Sequence, residues 1–335
     1  MGANRSDFSY ASPKENSNED DVAYFLVLSG GAFRGALQFW VIAHLMAKYW
    51  FRHISGVSVG SINGICASML KLDLLHDFWT STENKKGFLK TRWAYMVGMV
   101  TLIVPVLNSV GVTKIYHGIY SMKPLLNKLR EYVKLENVKI PFACGIVAAQ
   151  GGDEIYHNID TRDVSSNEFM AKAIQASSCM YPFMMPPLVD LPGTQEKNPE
   201  ISIDGGYWNI FPIPWNEIEA ARGEGKKVVI HAIGCTPLSR VKRVNKKNFF
   251  SFFGFFWLLM RVIEIMEASV YGDEQGGDIL QLRYAAGKGG EIHLWVPSVD
   301  PGDPFDASKE EIGRRLSEGK STVERGPIVL PGIGV

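Results

Sequence analysis

The sequence has no pair of cysteines placed to act together. Its four, Cys66, Cys144, Cys179 and Cys235, lie far apart with no C-x-x-C spacing. That excludes a disulfide scaffold and a zinc knuckle, and fits reduced thiols in a cytoplasmic protein. Charge of one sign is not in excess either. Lys plus Arg number 35 and Asp plus Glu number 35, so no global field draws the chain to nucleic acid, which is not expected as a partner. Clustered carboxylates of the calcium-binding kind are missing, and no metal or cofactor is expected. Residues 1–21 lack the apolar core of a secretory signal and are expected to form a mobile polar tail. Their first six, "MGANRS", fit the myristoylation pattern with Gly2 and Ser6 in place, a pattern short enough to arise by chance.

What is present describes a folded globular protein. The chain has 335 residues, 46% hydrophobic and 21% charged, enough for one large domain or two ordinary ones. Continuous apolar runs at Tyr24–Leu28, Lys226–Cys235 and Glu291–Pro297 read as buried strands, with a shorter one through Ile54 and Val57. Pro141–Gln150 and Asp153–Ile159 read as a strand pair, and Glu200–Asp204 as a further strand. Helices are expected over Gly35–Trp50, from the turn after Val57 to about Leu72, and over Ser165–Ser178, Phe255–Ala286 and Ala307–Thr322. This alternation predicts an α/β fold with a mostly parallel sheet covered on both faces.

Two glycine-rich turns follow strands. "LSGGAFRG" (Leu28–Gly35) has neither the Lys-Ser/Thr ending of a phosphate loop nor the G-x-G-x-x-G spacing of a dinucleotide site. "GVSVG" (Gly56–Gly60) fits a nucleophile elbow, with Ser58 between strand and helix where the helix dipole favours developing negative charge. A nucleophilic serine needs an oxyanion hole, and the N–H groups of Gly30, Gly31, Ala32 and Phe33 are candidates for it. It also needs a base. Of the seven histidines, His231 and His293 sit inside apolar strands, and His76, His117 and His157 have no partnering pattern. "IDGG" instead places Asp204 at a strand's carboxyl end, where open α/β sheets put their chemistry.

Together these pieces resemble the patatin-like phospholipase family. The family pattern joins a D/S-G-G-G-x-R/K-G oxyanion loop, a G-x-S-x-G elbow and a D-G-G/A motif. Here they read Ser29-Gly30-Gly31-Ala32-Phe33-Arg34-Gly35, Gly56-Val57-Ser58-Val59-Gly60 and Asp204-Gly205-Gly206. "SVGSINGICAS" is similar to the family's elbow helix, and "AIQASSCMYPFMMPPL" to its Ala-Ser block followed by prolines. The resemblance implies a three-layer fold over residues 22–325, a mostly parallel central sheet flanked by helices with a helical cap at about 89–132, and a C-terminal tail at 326–335. It implies a serine hydrolase without a catalytic metal that cleaves phospholipid acyl esters through a Ser58–Asp204 dyad. Arg34, in the family's basic position, would brace the loop. Ala32 departs from the third glycine, which matters if that position needs positive φ. A soluble esterase or peptidase with a Ser-Asp-His triad, and an inactive lipid-binding module, are the alternatives.

Two segments bear on the substrate. Trp93–Thr113 is uncharged and long enough to span a bilayer, but Pro105, Asn108, Ser109 and two glycines interrupt it. An acyl-chain-binding cap is the favoured reading, with a membrane span as the other. Further on, Arg240, Lys242, Arg243, Lys246 and Lys247 precede Phe249, Phe252, Phe253, Phe256 and Trp257. That combination suits peripheral docking on an anionic membrane surface, whereas a buried helix behind a solvated basic loop is the plainer alternative.

Overall fold

The computed structural model describes residues 21–81, 90–91, 118, 120–149, 155–181, 183–190, 200–238 and 277–334. Residues 1–20, the uncharged run 93–113 and the basic-aromatic segment 240–260 expected to dock on membranes lie outside these, as does His117. Among the described residues no helix is long and apolar enough to cross a membrane.

The chain opens with β1 (Val22–Leu28), whose Phe25 to Leu28 are all buried. Such an unbroken apolar run belongs in the middle of a sheet covered on both faces. On one side β1 pairs in parallel with β2 (His53–Val57), and β2 with β5 (Phe142–Ala148). On the other it pairs in parallel with β9 (Lys227–Ile233), and β9 with β10 (Glu291–Trp295). Around this parallel centre the margins are antiparallel. β6 (Tyr156–Asp160) and β8 (Glu200–Asp204) pair with β5, β7 (Leu188–Val189) with β8, and β11 (Ile328–Pro331) with β10. Among the described residues the sheet has nine strands. A separate two-stranded piece joins β3 (Lys90–Thr91) to β4 (Tyr120–Ser121).

Helices cover both faces. One face packs α1 (Gln38–Met46), α2 (Val59–Ser68), α3 (Leu72–Thr80), α4 (Lys123–Tyr132) and α5 (Asn167–Ser177) into a large apolar cluster. A smaller cluster joins α6 (Trp215–Gly223) and α7 (Asp278–Ala286) to the opposite face. The last helix, α8 (Lys309–Arg325), opens on a Ser308 cap whose Oγ accepts from Glu311 N–H at 3.3 Å. It lies against α1, and Gly319 lets it approach the 3-10 turn Ala32–Leu37, where an added Cβ would collide with Leu37 O. The expected three-layer α/β architecture is therefore present.

Three expectations need correcting. The helix placed over Gly35–Trp50 begins as the 3-10 turn and ends at Met46. The elbow helix stops at Ser68 because Leu70 takes φ +58° and Lys71 N–H reaches back to Cys66 O, a left-handed stop that a non-glycine residue makes here. Residues 326–335, expected as a tail, supply β11, in which Ile328 pairs with Leu294 and Leu330 with Ile292. Its proline stands at the strand end on the sheet edge, where a missing N–H is tolerated.

Candidate active site

Strand register brings the two proposed catalytic residues together. Gly145 of β5 pairs with Val57 of β2 on one side and Asn158 of β6 on the other. The next residue, Ile146, pairs with His157 of β6 and with Asp204 of β8. Thus β2 and β8 share one edge of β5 and meet head to head, carboxyl end facing carboxyl end. Val57, the residue before Ser58, and Asp204 occupy consecutive partner positions. Gly205 completes the junction. A Cβ there would lie 2.7 Å from Val57 Cγ2 and closer still to Gly145 O, so only glycine lets the chain leave β8 at this point.

Ser58 sits on the turn between β2 and α2 with φ +56° and ψ −129°. A serine held there stores on the order of 1–3 kcal/mol of strain, which the surroundings must over-determine. They do so by hydrogen bonds. Ser58 N–H donates to Ser177 Oγ at 3.0 Å, while its carbonyl accepts from Ser61 N–H at 3.0 Å, Ser61 Oγ at 2.5 Å and Ser178 Oγ at 3.1 Å. The Ser177-Ser178 pair of the Ala-Ser block is therefore a brace for the elbow. Gly60 allows α2 to touch β1, because a Cβ there would lie 2.5 Å from Leu28 O. Gly56 packs directly on Gly60 and Gly35 on Val59.

Asp204 is buried, and its N–H donates to Cys179 O at 3.0 Å. Its Oδ1 accepts from Gly206 N–H at 2.8 Å, which fixes the carboxylate plane. Burial, and then the Asp204 charge, push the neighbouring Cys179 thiol far above the ordinary range, so it stays protonated.

The glycine-rich loop crosses beside the serine. An added Cβ on Gly30 would lie 2.9 Å from Ser58 Cβ. Gly31 has φ +151° and Ala32 φ +49°. The departure from glycine at Ala32 thus falls where a side chain is disfavoured, by about 1 kcal/mol. Among the described residues no acceptor takes the N–H groups of Gly30, Gly31 or Ala32. Phe33 is different. Its N–H donates to Pro304 O at 3.0 Å, so it is committed elsewhere and leaves the set of oxyanion donors. Arg34 is buried and donates from Nε to Gly302 O at 2.9 Å.

An apolar cavity of about 530 Å³, including its mouth, opens on this arrangement. Ser58 and Ser178 are its polar residues, and Phe33, Ile62, Phe78, Trp79, Met122 and Phe305 are among its walls. Met122 and Leu125, at the start of α4, fall within the region expected to cap the site.

None of the six described histidines lines the cavity. Buried His231 accepts from Trp295 Nε1 at its Nδ1, 3.2 Å, and packs edge-on against the His293 ring. His293 bonds Glu291 at 3.0 Å. A buried pair that sequence reading missed, His53 Nε2 and Asp160 Oδ2 at 2.8 Å, looks like two thirds of a triad. It sits at the wrong end of β2, about 13 Å of strand from Val57. The residues are 107 apart in sequence, and no local motif marks them. Among the described residues no group of three or more potential ligands could hold a metal.

The profile of the family described as patatin-like phospholipase matches residues 26–214, more than half of the chain. The chain belongs to the patatin-like phospholipase family. The matched segment contains the glycine-rich loop, the elbow and the D-G-G motif, so this patatin-like chain shares with its family a general assignment to lipid acyl hydrolysis. No curated protein is similar enough to match. Among solved structures, VipD from Legionella pneumophila matches with 13% identity and a TM-score of 0.38, over 93% of this chain and 68% of that one.

Proposed function

We propose that the protein hydrolyses fatty-acyl esters of membrane phospholipids through Ser58 and Asp204. The observation that carries the reading is the head-to-head meeting of β2 and β8 on β5, beside an apolar cavity onto which Ser58 opens. Asp204 takes the Ser58 proton as Oγ attacks the ester carbonyl. The oxyanion is received by the N–H groups of Gly30, Gly31 and Ala32, and the acyl chain occupies the cavity. Asp204 then returns the proton to the leaving lysolipid oxygen. In the second half it accepts a proton from water, whose oxygen attacks the acyl carbon; the bond to Ser58 Oγ breaks, Asp204 gives that proton to Oγ, and the fatty acid leaves. No histidine is needed in either half.

Ser58→Ala and Asp204→Asn should each reduce hydrolysis of a p-nitrophenyl ester at least ~1000-fold, because members of such a unit fail together. His231→Ala and His293→Ala should lower stability and leave turnover. A folded histidine variant as inactive as Ser58→Ala replaces the dyad with a triad. Docking falls, in this proposal, to the segment 240–260. Co-sedimentation with anionic vesicles should weaken with salt without vanishing, and fall sharply when Phe252, Phe253 and Phe256 become Ser. Normal vesicle binding by that variant removes the docking role.

A further inference from the structure

Outside the family-matched region, one loop reaches back to the proposed oxyanion donors. Pro301 to Asp306 precedes α8, and its backbone carbonyls are spent on holding other parts of the molecule together. Pro304 O accepts from Phe33 N–H at 3.0 Å, and Gly302 O accepts from Arg34 Nε at 2.9 Å. Both donors follow Ala32 directly in the glycine-rich loop. Phe305, between them and α8, puts its ring into the cavity wall and meets the Phe183 ring at 5.5 Å.

The loop is itself fixed from behind by one side chain. Arg315 of α8 is 0% exposed. Its Nε donates to Pro301 O at 3.1 Å, Nη1 to Asp306 O at 2.6 Å and Nη2 to Asp303 O at 2.6 Å. Carboxylates of the same stretch shape it further, since Asp300, Asp303 and Asp306 accept from the N–H groups of Gly302, Phe305 and Ser308. The nearest carboxylate to the Arg315 guanidinium is Glu311, at 3.7 Å. A fully buried cation held by three carbonyls and one longer ion pair to Glu311 is a costly way to hold a loop, and apolar packing usually does as well or better for stability alone. What apolar packing does not supply is aim. Three carbonyls from residues 301, 303 and 306 pointed at one planar fork leave those of 302 and 304 turned towards Arg34 and Phe33.

We propose that Arg315 is a positioning residue for the hydrolytic site. Through the 301–306 loop it sets the height of Phe33 and Arg34, and with them the N–H groups of Gly30 to Ala32 beside Ser58. The inference rests on the hydrolase reading above. It makes α8 and the loop before it part of the active site, although neither lies within the segment that the family pattern covers.

Because oxyanion contacts act in the transition state, their misplacement lowers kcat more than it raises KM. The test compares Arg315→Met, Arg315→Lys and Gly302→Val with the unaltered protein. The last perturbs the loop from its outer side, at φ +79° where a side chain is strained, without emptying the core. For variants whose melting shows a folded protein, kcat on p-nitrophenyl butyrate should fall at least ~10-fold with KM within about twofold, a fraction of the ~100–1000-fold that removing a whole oxyanion donor costs. Labelling of Ser58 by a fluorophosphonate should slow by a similar factor, since the phosphonyl oxygen uses the same donors. Arg315→Lys, which keeps the charge and loses the fork, should resemble Arg315→Met. Any folded variant of the three with kcat and labelling at the unaltered level overturns the proposal, as does a loss confined to KM. An unaltered protein inert to both ester and fluorophosphonate instead sinks the hydrolase reading, and this inference with it.

Discussion

Asp160 carries a strongly perturbed carboxyl, and it lies away from the proposed chemistry. Burial alone pushes its carboxyl up. Hydrogen bonds from His53 and from Arg162, at 2.8 Å each, outweigh that and hold it well below the usual carboxylate range. A depressed carboxyl stabilises the fold above its ordinary value, and the benefit is lost as pH falls through the folded-state value. Asp160→Asn should therefore lower stability at pH 7 by about 2–4 kcal/mol, with the gap to the unaltered protein closing in acid. Urea midpoints at pH 7 and at about pH 2.5, below the ordinary carboxylate value of ~3.9, measure both. Ester turnover should stay within about threefold, because β2 separates the pair from Ser58. A folded but inactive Asp160→Asn protein puts His53 into the mechanism.

At the scale of elements, the cavity is built where α2, α3 and the start of α4 converge on the elbow. Ile62 is one turn along α2 from Ser58, and Met122 caps α4, so both face bound acyl chain rather than the scissile bond. Enlarging either to Trp should lower kcat/KM for a hexadecanoyl ester at least ~10-fold more than for a butyryl ester, since lost depth removes about 0.8 kcal/mol per unburied methylene. An unchanged chain-length profile in both variants places the acyl chain elsewhere. The elements that make this site differ in how legible they are. The strands β1, β2, β8, β9 and β10 and the turns Ser29–Gly35 and Gly56–Gly60 are local patterns, readable from apolar runs and glycine spacing. The meeting of Val57 and Asp204 is not, because it depends on the register of both strands against Gly145 and Ile146, far away in sequence. Arg315 escaped notice for a related reason. Its partners are backbone carbonyls, which any sequence presents, and an arginine on an amphipathic helix reads as solvated. The same holds for β11, whose four residues end in proline and pair only at an edge.

At the scale of the whole molecule, two of the described buried groups respond to pH in opposite directions. His231, enclosed by the Tyr49 and Phe51 rings and by Trp295, is held down at about 3 by burial, then by the charges of His293 and His44. Asp278, against the other face, is pushed up to about 6 by burial, although the N–H groups of Phe211 and Ile210 pull the other way. The unfolded chain binds a proton at His231 below about 6.5 that the folded protein refuses, so this residue makes stability fall as pH drops from 6.5 towards 3, by about 1.4 kcal/mol per unit. Asp278 does the reverse. Its folded state takes up a proton below about 6 that the open chain binds only below about 3.9, so its penalty is full above 6 and is relieved as pH falls towards 4. Between 6 and 4 the two slopes nearly cancel. Asp278→Asn, which keeps an oxygen for Ile210 and Phe211, should gain up to about 3 kcal/mol at pH 8 and almost nothing at pH 4. His231→Phe loses the Trp295 hydrogen bond at every pH, but its stability should rise as pH falls from 6 to 4. Urea midpoints across pH 4–8 thus have opposite slopes in the two variants. Parallel profiles would mean that neither group titrates away from its open-chain value, and that the cancellation does not exist.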